Sequence, residues 1–168
     1  QLRRSPSCFD PLQLLYWQKA AIQGLDDANL SDYFGKNTLA LVPDDKRNYF
    51  IHVIKANVTF PDEALRWAEV LFHIFPVLDQ ERKDILRRAG DTFFEAAFAA
   101  TLKHGTDWDA LVSILKQQFK LSGKDLLMPL RIALTGAIHG PKLHDIAILL
   151  GQTAMIERFK SAVSLIDQ

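Results

Sequence analysis

Five histidines, one cysteine and twenty carboxylates are the side chains of this 168-residue sequence that could hold a metal or move a proton, so their spacing is the first test for a reaction centre. His139 and His144 stand five positions apart, whereas adjacent ligands on one helical face need a separation of about three or four. Cys8 is alone, which excludes an internal disulfide and supplies no thiolate cluster. The sequence has no glycine-rich phosphate loop, no serine set between glycines in a nucleophile elbow, and no histidine–glutamate pattern of the zinc-protease kind. The carboxylates fall in charged helical faces, where solvation accounts for them. The expectation is a chain with no catalytic residue, no metal and no cofactor of its own.

One segment differs in kind. Met128-Pro129-Leu130-Arg131-Ile132-Ala133-Leu134-Thr135-Gly136 is followed by Gly140-Pro141-Lys142-Leu143. A proline deep in a helix loses a hydrogen bond and clashes with the carbonyl four residues earlier, so Pro129 is expected in a first turn, with the helix starting near Asp125. Arg131 then emerges from apolar neighbours. A guanidinium so placed is either paired with a carboxylate or presented to a ligand, and the residues alone leave both open.

The elements that would position it are helices. Several windows repeat at three and four residues and none alternates with period two, which makes the class all-α. Asp10-Pro11 starts a first helix, with Leu12, Leu15, Tyr16, Lys19 and Ile22 on one face and Gly24 at its end. A short helix follows Asp26-Asp27, and Pro43-Asp44-Asp45 starts another that contains Tyr49, Phe50, Val53 and Ile54. Asn57 to Pro61 breaks the pattern, and a helix then runs from Asp62 towards Phe75-Pro76. Pro76 to Gln80 is the expected seam between two parts, 1–76 and 77–168, with a charged, solvent-facing Glu81-Arg82-Lys83-Asp84 beyond it. Helices follow around Phe94–Leu102, from Thr106 or Asp107 through Phe119, over Leu126–Thr135 with Gly136 as stop, after Gly140-Pro141 up to Gly151, and over Thr153–Ile166.

Twenty Lys and Arg balance twenty Asp and Glu, so no global positive field draws the chain to a polyanion. A nucleic-acid role would need local clustering of cations. The opening Gln1-Leu2-Arg3-Arg4-Ser5-Pro6 lacks the apolar run of a signal peptide or membrane anchor. The expected location is the cytoplasm, away from any membrane.

The block Met128 to Gly136, the turn Gly140 to Leu143 and the helix end Leu149-Leu150-Gly151 together resemble the C-terminal signature of bacterial glutamyl-tRNA synthetases. The opening Phe9-Asp10-Pro11-Leu12-Gln13-Leu14-Leu15-Tyr16-Trp17-Gln18-Lys19 is similar to the helix that follows that family's catalytic portion. Phe93 and Trp108 to Leu115 fall where the family has aromatic-rich helices. The resemblance covers nearly the whole chain. It implies a two-part helical bundle, the anticodon-binding cage of the class I enzymes, attached to a Rossmann-type half that uses ATP with Mg to load glutamate onto tRNA. That half's two ATP-handling motifs have no counterpart in this sequence, and the start at Gln1 without Met agrees with a fragment. The partners implied are tRNA(Glu) and the catalytic domain of the same chain, with the protein a monomer.

The resemblance also implies roles for residues. Arg131 matches the family's anticodon-reading arginine, whose flat five-donor fork fixes a base edge or phosphate as a lysine does not. Leu143 matches a leucine packed near the anticodon bases, and Lys116 lies on a helix that commonly carries a basic contact. A discriminating arginine of the family falls on Asn57 here, which implies relaxed reading and acceptance of tRNA(Gln) as well. Arg3, Arg4, Lys19 and Arg66 are candidates for phosphate contacts. Two rivals stand beside this reading. A helical protein-interaction module suits the neutral composition but leaves the Pro-Leu-Arg and Gly-Pro-x-Leu spacing unexplained. A free-standing helical enzyme would need an acid–base or metal constellation that the sequence does not display.

Overall fold

Four aspartates start four of the helices by accepting a backbone N–H that the first turn cannot satisfy internally. Asp10 accepts from Leu12 at 3.0 Å, Asp26 from Asn29 at 2.8 Å, Asp79 from Arg82 at 2.9 Å and Asp107 from Ala110 at 3.0 Å. The structure is a computed structural model and describes residues 10–166. Among these the regular elements are all helical: α1 Pro11–Gln23, α2 Asp27–Phe34, α3 Lys36–Ala40, a 3-10 turn Asp44–Lys46, α4 Arg47–Ile54, α5 Pro61–Phe72, α6 Gln80–Ala89, α7 Asp91–His104, α8 Trp108–Phe119, α9 Gly123–Thr135 and α10 Leu143–Ile166. None of these helices is long and apolar enough to cross a membrane.

α10 is the central element. It breaks at Gly151 into two segments and packs against α4, α5, α6, α7, α8 and α9. Its Ile146, Leu149, Met155 and Phe159 are buried together with Phe50 of α4 and Phe93 and Phe94 of α7. Phe93 meets Phe94 edge-on at 5.2 Å and Phe119 of α8 at 5.4 Å. The apolar core runs without interruption from Ile22 to Ala162.

The last carbonyls of a helix need donors just as its first amides need acceptors. Here the donors come from distant side chains. Lys46 gives its ammonium to Leu149 O at 2.7 Å, at the end of the first α10 segment, and Gln152 gives Nε2 to Thr101 O and Leu102 O, at 3.0 and 3.1 Å, near the end of α7. Arg158 does this for two helices at once. Its Nη1 donates to Leu134 O of α9 and its Nη2 to Val70 O of α5. The partners lie on either side of the Pro76–Gln80 connection, and the guanidinium sits 5.7 Å from the Phe75 ring centroid. Arg158 is only 5% exposed, and that burial pulls its pKa down to about 10.

Tyr49 ties α4 to α10 by donating to Asp145 Oδ1 at 2.7 Å, and burial, followed by that carboxylate, pushes its pKa up to about 12. The folded state thus favours the neutral phenol. Its stabilisation is complete below about pH 10, the pKa of an unfolded tyrosine, and is lost as pH rises towards 12. Tyr49→Phe is expected to be about 0.5–1.5 kcal/mol less stable at neutral pH and to lose the ionisation near pH 12 from the ultraviolet absorbance titration. Superimposable alkaline titrations of the two proteins would overturn this assignment.

One expectation changes, that for Pro129, and two others gain detail. On α1 only Ile22 is buried, while Leu12, Leu15 and Tyr16 are 76%, 40% and 68% exposed. Periodicity tells which residues share a face, and nothing in the described chain covers this one. Glu81 to Asp84 belongs to α6, whose Leu86 is buried, so the charged run is the outer face of a core helix. Pro129 is not in a first turn: α9 begins at Gly123, and Pro129 is buried inside the helix. The missing N–H leaves the Asp125 carbonyl without its usual donor, a cost the core tolerates because Leu126, Leu130 and Ile132 of the same helix are almost fully buried.

Candidate functional site

The signature block places its candidate side chains in α9 and in the turn that leads to α10. Gly136 closes α9 in the left-handed region, φ 68°, where a Cβ would collide with Pro76. Thr135 steadies the same corner: its hydroxyl donates to Arg131 O at 2.8 Å and accepts from Ala137 N at 3.1 Å. Gly140, φ 141°, lies so close to the Trp67 ring that a side chain there would overlap it.

Arg131 reaches across this turn and donates Nη1–H to Pro141 O at 2.9 Å. It is half-buried, and the loss of water lowers its pKa from the usual arginine value. None of the ion pairs among the described residues includes it. The guanidinium is held by a carbonyl, with four of its five N–H donors outside that bond.

Beside the turn lies a cleft of about 260 Å³ lined by Asn57, Glu63, Arg66, Trp67, Val70, Thr135 and Ala137. It joins α5 to the end of α9. Glu63 caps α5, its Oε2 accepting from Thr59 N and Phe60 N. Asn57 is exposed and spends one N–H on Val53 O at 3.2 Å. Arg66 pairs with Asp62 at 3.1 Å, both side chains more than half exposed, an arrangement worth at most about 1 kcal/mol. A larger groove borders the start of the signature at Met128 and Pro129, but its lining mixes the acidic Glu81 and Asp125 with the basic Arg88 and Lys124.

The structure therefore brings Asn57 and Arg66 to one cleft and leaves Arg131 out of its lining, tied instead to the Pro141 carbonyl. Leu143 is buried, 6% exposed, at the start of α10. Lys116 is exposed in the last turn of α8, and Lys19 is exposed on α1, both outside the cleft. Arg3 and Arg4, like Cys8 and Phe9, lie outside the described residues. Sequence reasoning passed over Trp67, Val70 and Ala137. Their only signal was indirect: a tryptophan at the edge of a helical stripe, and a glycine in the turn that has to meet something large.

Among the described residues no three His, Cys, Asp or Glu side chains stand close enough to share a metal ion. The fold and the cleft define a helical binding module. A family model described as an anticodon binding domain matches residues 77–163, which covers α6 to most of α10. The chain belongs to that family. It is 37% identical over 161 residues to a glutamate–tRNA ligase of Coxiella burnetii (strain RSA 331), covering 96% of this chain and 35% of the relative. It is 38% identical over 163 residues to one from Nitrosococcus oceani, covering 97% and 34%. The fold matches a glutamate–tRNA synthetase from Elizabethkingia anophelis with a TM-score of 0.74 at 21% identity, over 93% of this chain and 32% of that one. The chain spans about a third of the length of the curated relatives it matches.

Proposed function

We propose that this chain is the RNA-reading part of a glutamate–tRNA ligase: it binds the anticodon arm of tRNA(Glu) and positions it for a catalytic half that lies outside this sequence. The observation that carries this reading is the pairing of family membership over residues 77–163 with the corner where Arg131, Thr135 and the Gly140-Pro141 turn meet. Arg131 and Asn57 are assigned to the bases, Arg66 and Lys19 to phosphates, and Lys116 to a further basic contact. Leu143, being buried, acts by seating the turn. ATP and Mg are assigned to the catalytic half of such a ligase. Asn57 in place of an arginine supports acceptance of tRNA(Gln) beside tRNA(Glu). We also assign the protein to the cytoplasm, as a monomer, with its helices divided into functional parts 1–76 and 77–168.

A titration of the chain against both tRNAs, each with an anticodon-substituted control and at two salt concentrations, tests the reading. Expected are anticodon-dependent binding and an affinity that falls with salt as counterions are released from contacted phosphates. Equal affinity for every RNA, or none at low salt, would overturn it. Affinity for tRNA(Gln) far below that for tRNA(Glu) would remove the relaxed reading alone.

A further inference from the structure

We propose that Lys46 and Tyr49 are positioning residues for RNA binding: together they clamp the first segment of α10 at two points and so fix the signature turn from which that segment springs. This rests on the RNA-binding reading above. The segment is short, residues 143–150, because Gly151 at φ 81° interrupts the helix. It follows Gly140-Pro141-Lys142 directly, and Ile146 N donates back to Lys142 O at 3.1 Å, so any rotation or slide of the segment carries the turn with it. Pro141 O in that turn receives the Arg131 guanidinium, and Gly140 lies against the Trp67 ring. A displaced turn would disturb both.

Burial of Leu143, Ile146, Leu149 and Leu150 keeps the segment on the core. Apolar contact is non-directional, however, and selects rotation and axial position less sharply than hydrogen bonds, whose strength depends on angle. Two such bonds are present. Tyr49 Oη donates to Asp145 Oδ1 and Lys46 Nζ to Leu149 O, each at 2.7 Å. Asp145 and Leu149 stand four positions apart, on one side of the helix and about 6 Å along its axis. Lys46 and Tyr49 flank the junction of the 3-10 turn with α4, so both arms of the clamp come from one corner. Two points a helical turn apart fix what a single point would leave free to pivot. Lys46 suits its place, because the interruption at Gly151 leaves Leu149 O at the negative end of a helix segment. Its Nζ lies 3.6 Å from where a Cβ on Gly151 would stand and 5.8 Å from the centroid of Phe72, the last residue of α5. It joins none of the ion pairs among the described residues. Neither Lys46 nor Tyr49 lines the cleft beside the turn, so their effect on RNA is transmitted through the turn.

The test titrates the whole chain with an RNA hairpin carrying the glutamate anticodon loop and with a scrambled-loop hairpin, at a temperature where circular dichroism finds every variant folded. Lys46→Met and Tyr49→Phe are each expected to weaken binding to the anticodon hairpin about three- to tenfold, the scale of one hydrogen bond, and to leave the scrambled hairpin within about twofold. The double variant should lose little more than the weaker-binding single, because release of either point frees the segment. Lys46→Arg, which keeps a cation and its donors, should recover most of the loss. Trp67 emission, taken as the difference between each protein and its Trp67→Phe counterpart, should shift to the red in Lys46→Met and Tyr49→Phe before any RNA is added, as the ring loses its cover at Gly140. A wild-type preference for the anticodon loop that both single variants keep, with Trp67 emission unshifted, would overturn the clamp and leave RNA binding standing. Equal losses on both hairpins would overturn it too, being the mark of a lost phosphate contact or of general loosening. Absence of any wild-type preference between the hairpins would overturn the RNA-binding reading, and the clamp's role with it.

Discussion

Replacing Arg158 with alanine is expected to lower the stability of this chain by about 3–5 kcal/mol, because two buried carbonyls lose their donor at roughly 1–3 kcal/mol each and the packing on Phe75 goes with them. The two carbonyls explain why a buried cation is tolerated without a carboxylate. Val70 O stands in the last turn of α5, where the next available amide, Ile74 N, has gone to Glu69 O. Leu134 O stands in the last turn of α9. Both are orphan acceptors at the negative ends of helix dipoles, so one guanidinium neutralises two helix ends and satisfies two acceptors together. For a domain of this size the midpoint of thermal unfolding should fall by about 10 °C. Arg158→Lys should recover at most about half of that loss, since one ammonium lacks the flat fork that spans both acceptors. Since Val70 and Thr135 line the cleft that Arg158 braces, loop-dependent RNA binding should weaken in step. A melting temperature for Arg158→Ala within about 2 °C of wild type, less than 1 kcal/mol by the same scaling, would refute the bracing role.

That arginine also marks where sequence reading stopped. Helix starts were legible because their caps are local: Asp10, Asp26 and Asp107 each bond an amide two or three residues on, and such spacing is visible in a string of letters. Some helix ends were legible too, at Gly24 and Gly136, but the donors that Arg158, Lys46 and Gln152 bring to last-turn carbonyls come from 24 to 103 residues away, and nothing in their surroundings announces them. The same asymmetry holds at the site. The signature block identified Arg131 and its turn because its residues are contiguous, whereas Asn57 and Arg66 were assigned separate roles and the structure brings them to one cleft. Trp67 escaped notice because helical periodicity sorts residues into buried and exposed, and Trp67 is neither: it is half-buried, fixed by a glycine far along the chain. On α1 the spacing gave the shared face of Leu12, Leu15 and Tyr16 but not that this face is left uncovered.

Arg131→Ala is expected to weaken anticodon-dependent RNA binding by about ten- to a hundredfold, the scale of one bidentate contact to a base at 1–3 kcal/mol. The sequence left two readings of this residue, pairing with a carboxylate or presentation to a ligand, and the geometry favours the second: its only bond among the described residues is to Pro141 O. That bond orients the guanidinium without neutralising it, and partial burial, which lowers its pKa, means that water has already been removed from part of the group. A desolvated cation that lacks a counter-charge has more to gain from an RNA acceptor than a fully solvated one. Base reading and phosphate contact then give different signatures. If Arg131 reads a base, alanine and lysine variants should both lose affinity for the matching anticodon while binding substituted anticodons as before, and the salt dependence should keep its slope. If it meets a phosphate, alanine should weaken every RNA alike and reduce the slope by about one, while lysine restores most of the affinity. Melting curves provide the control, because freeing the part-buried Pro141 O should cost about 1–3 kcal/mol of stability. Affinities within twofold of wild type for every RNA would leave Arg131 a brace for the Gly140-Pro141 turn and shift the reading of the anticodon to Asn57.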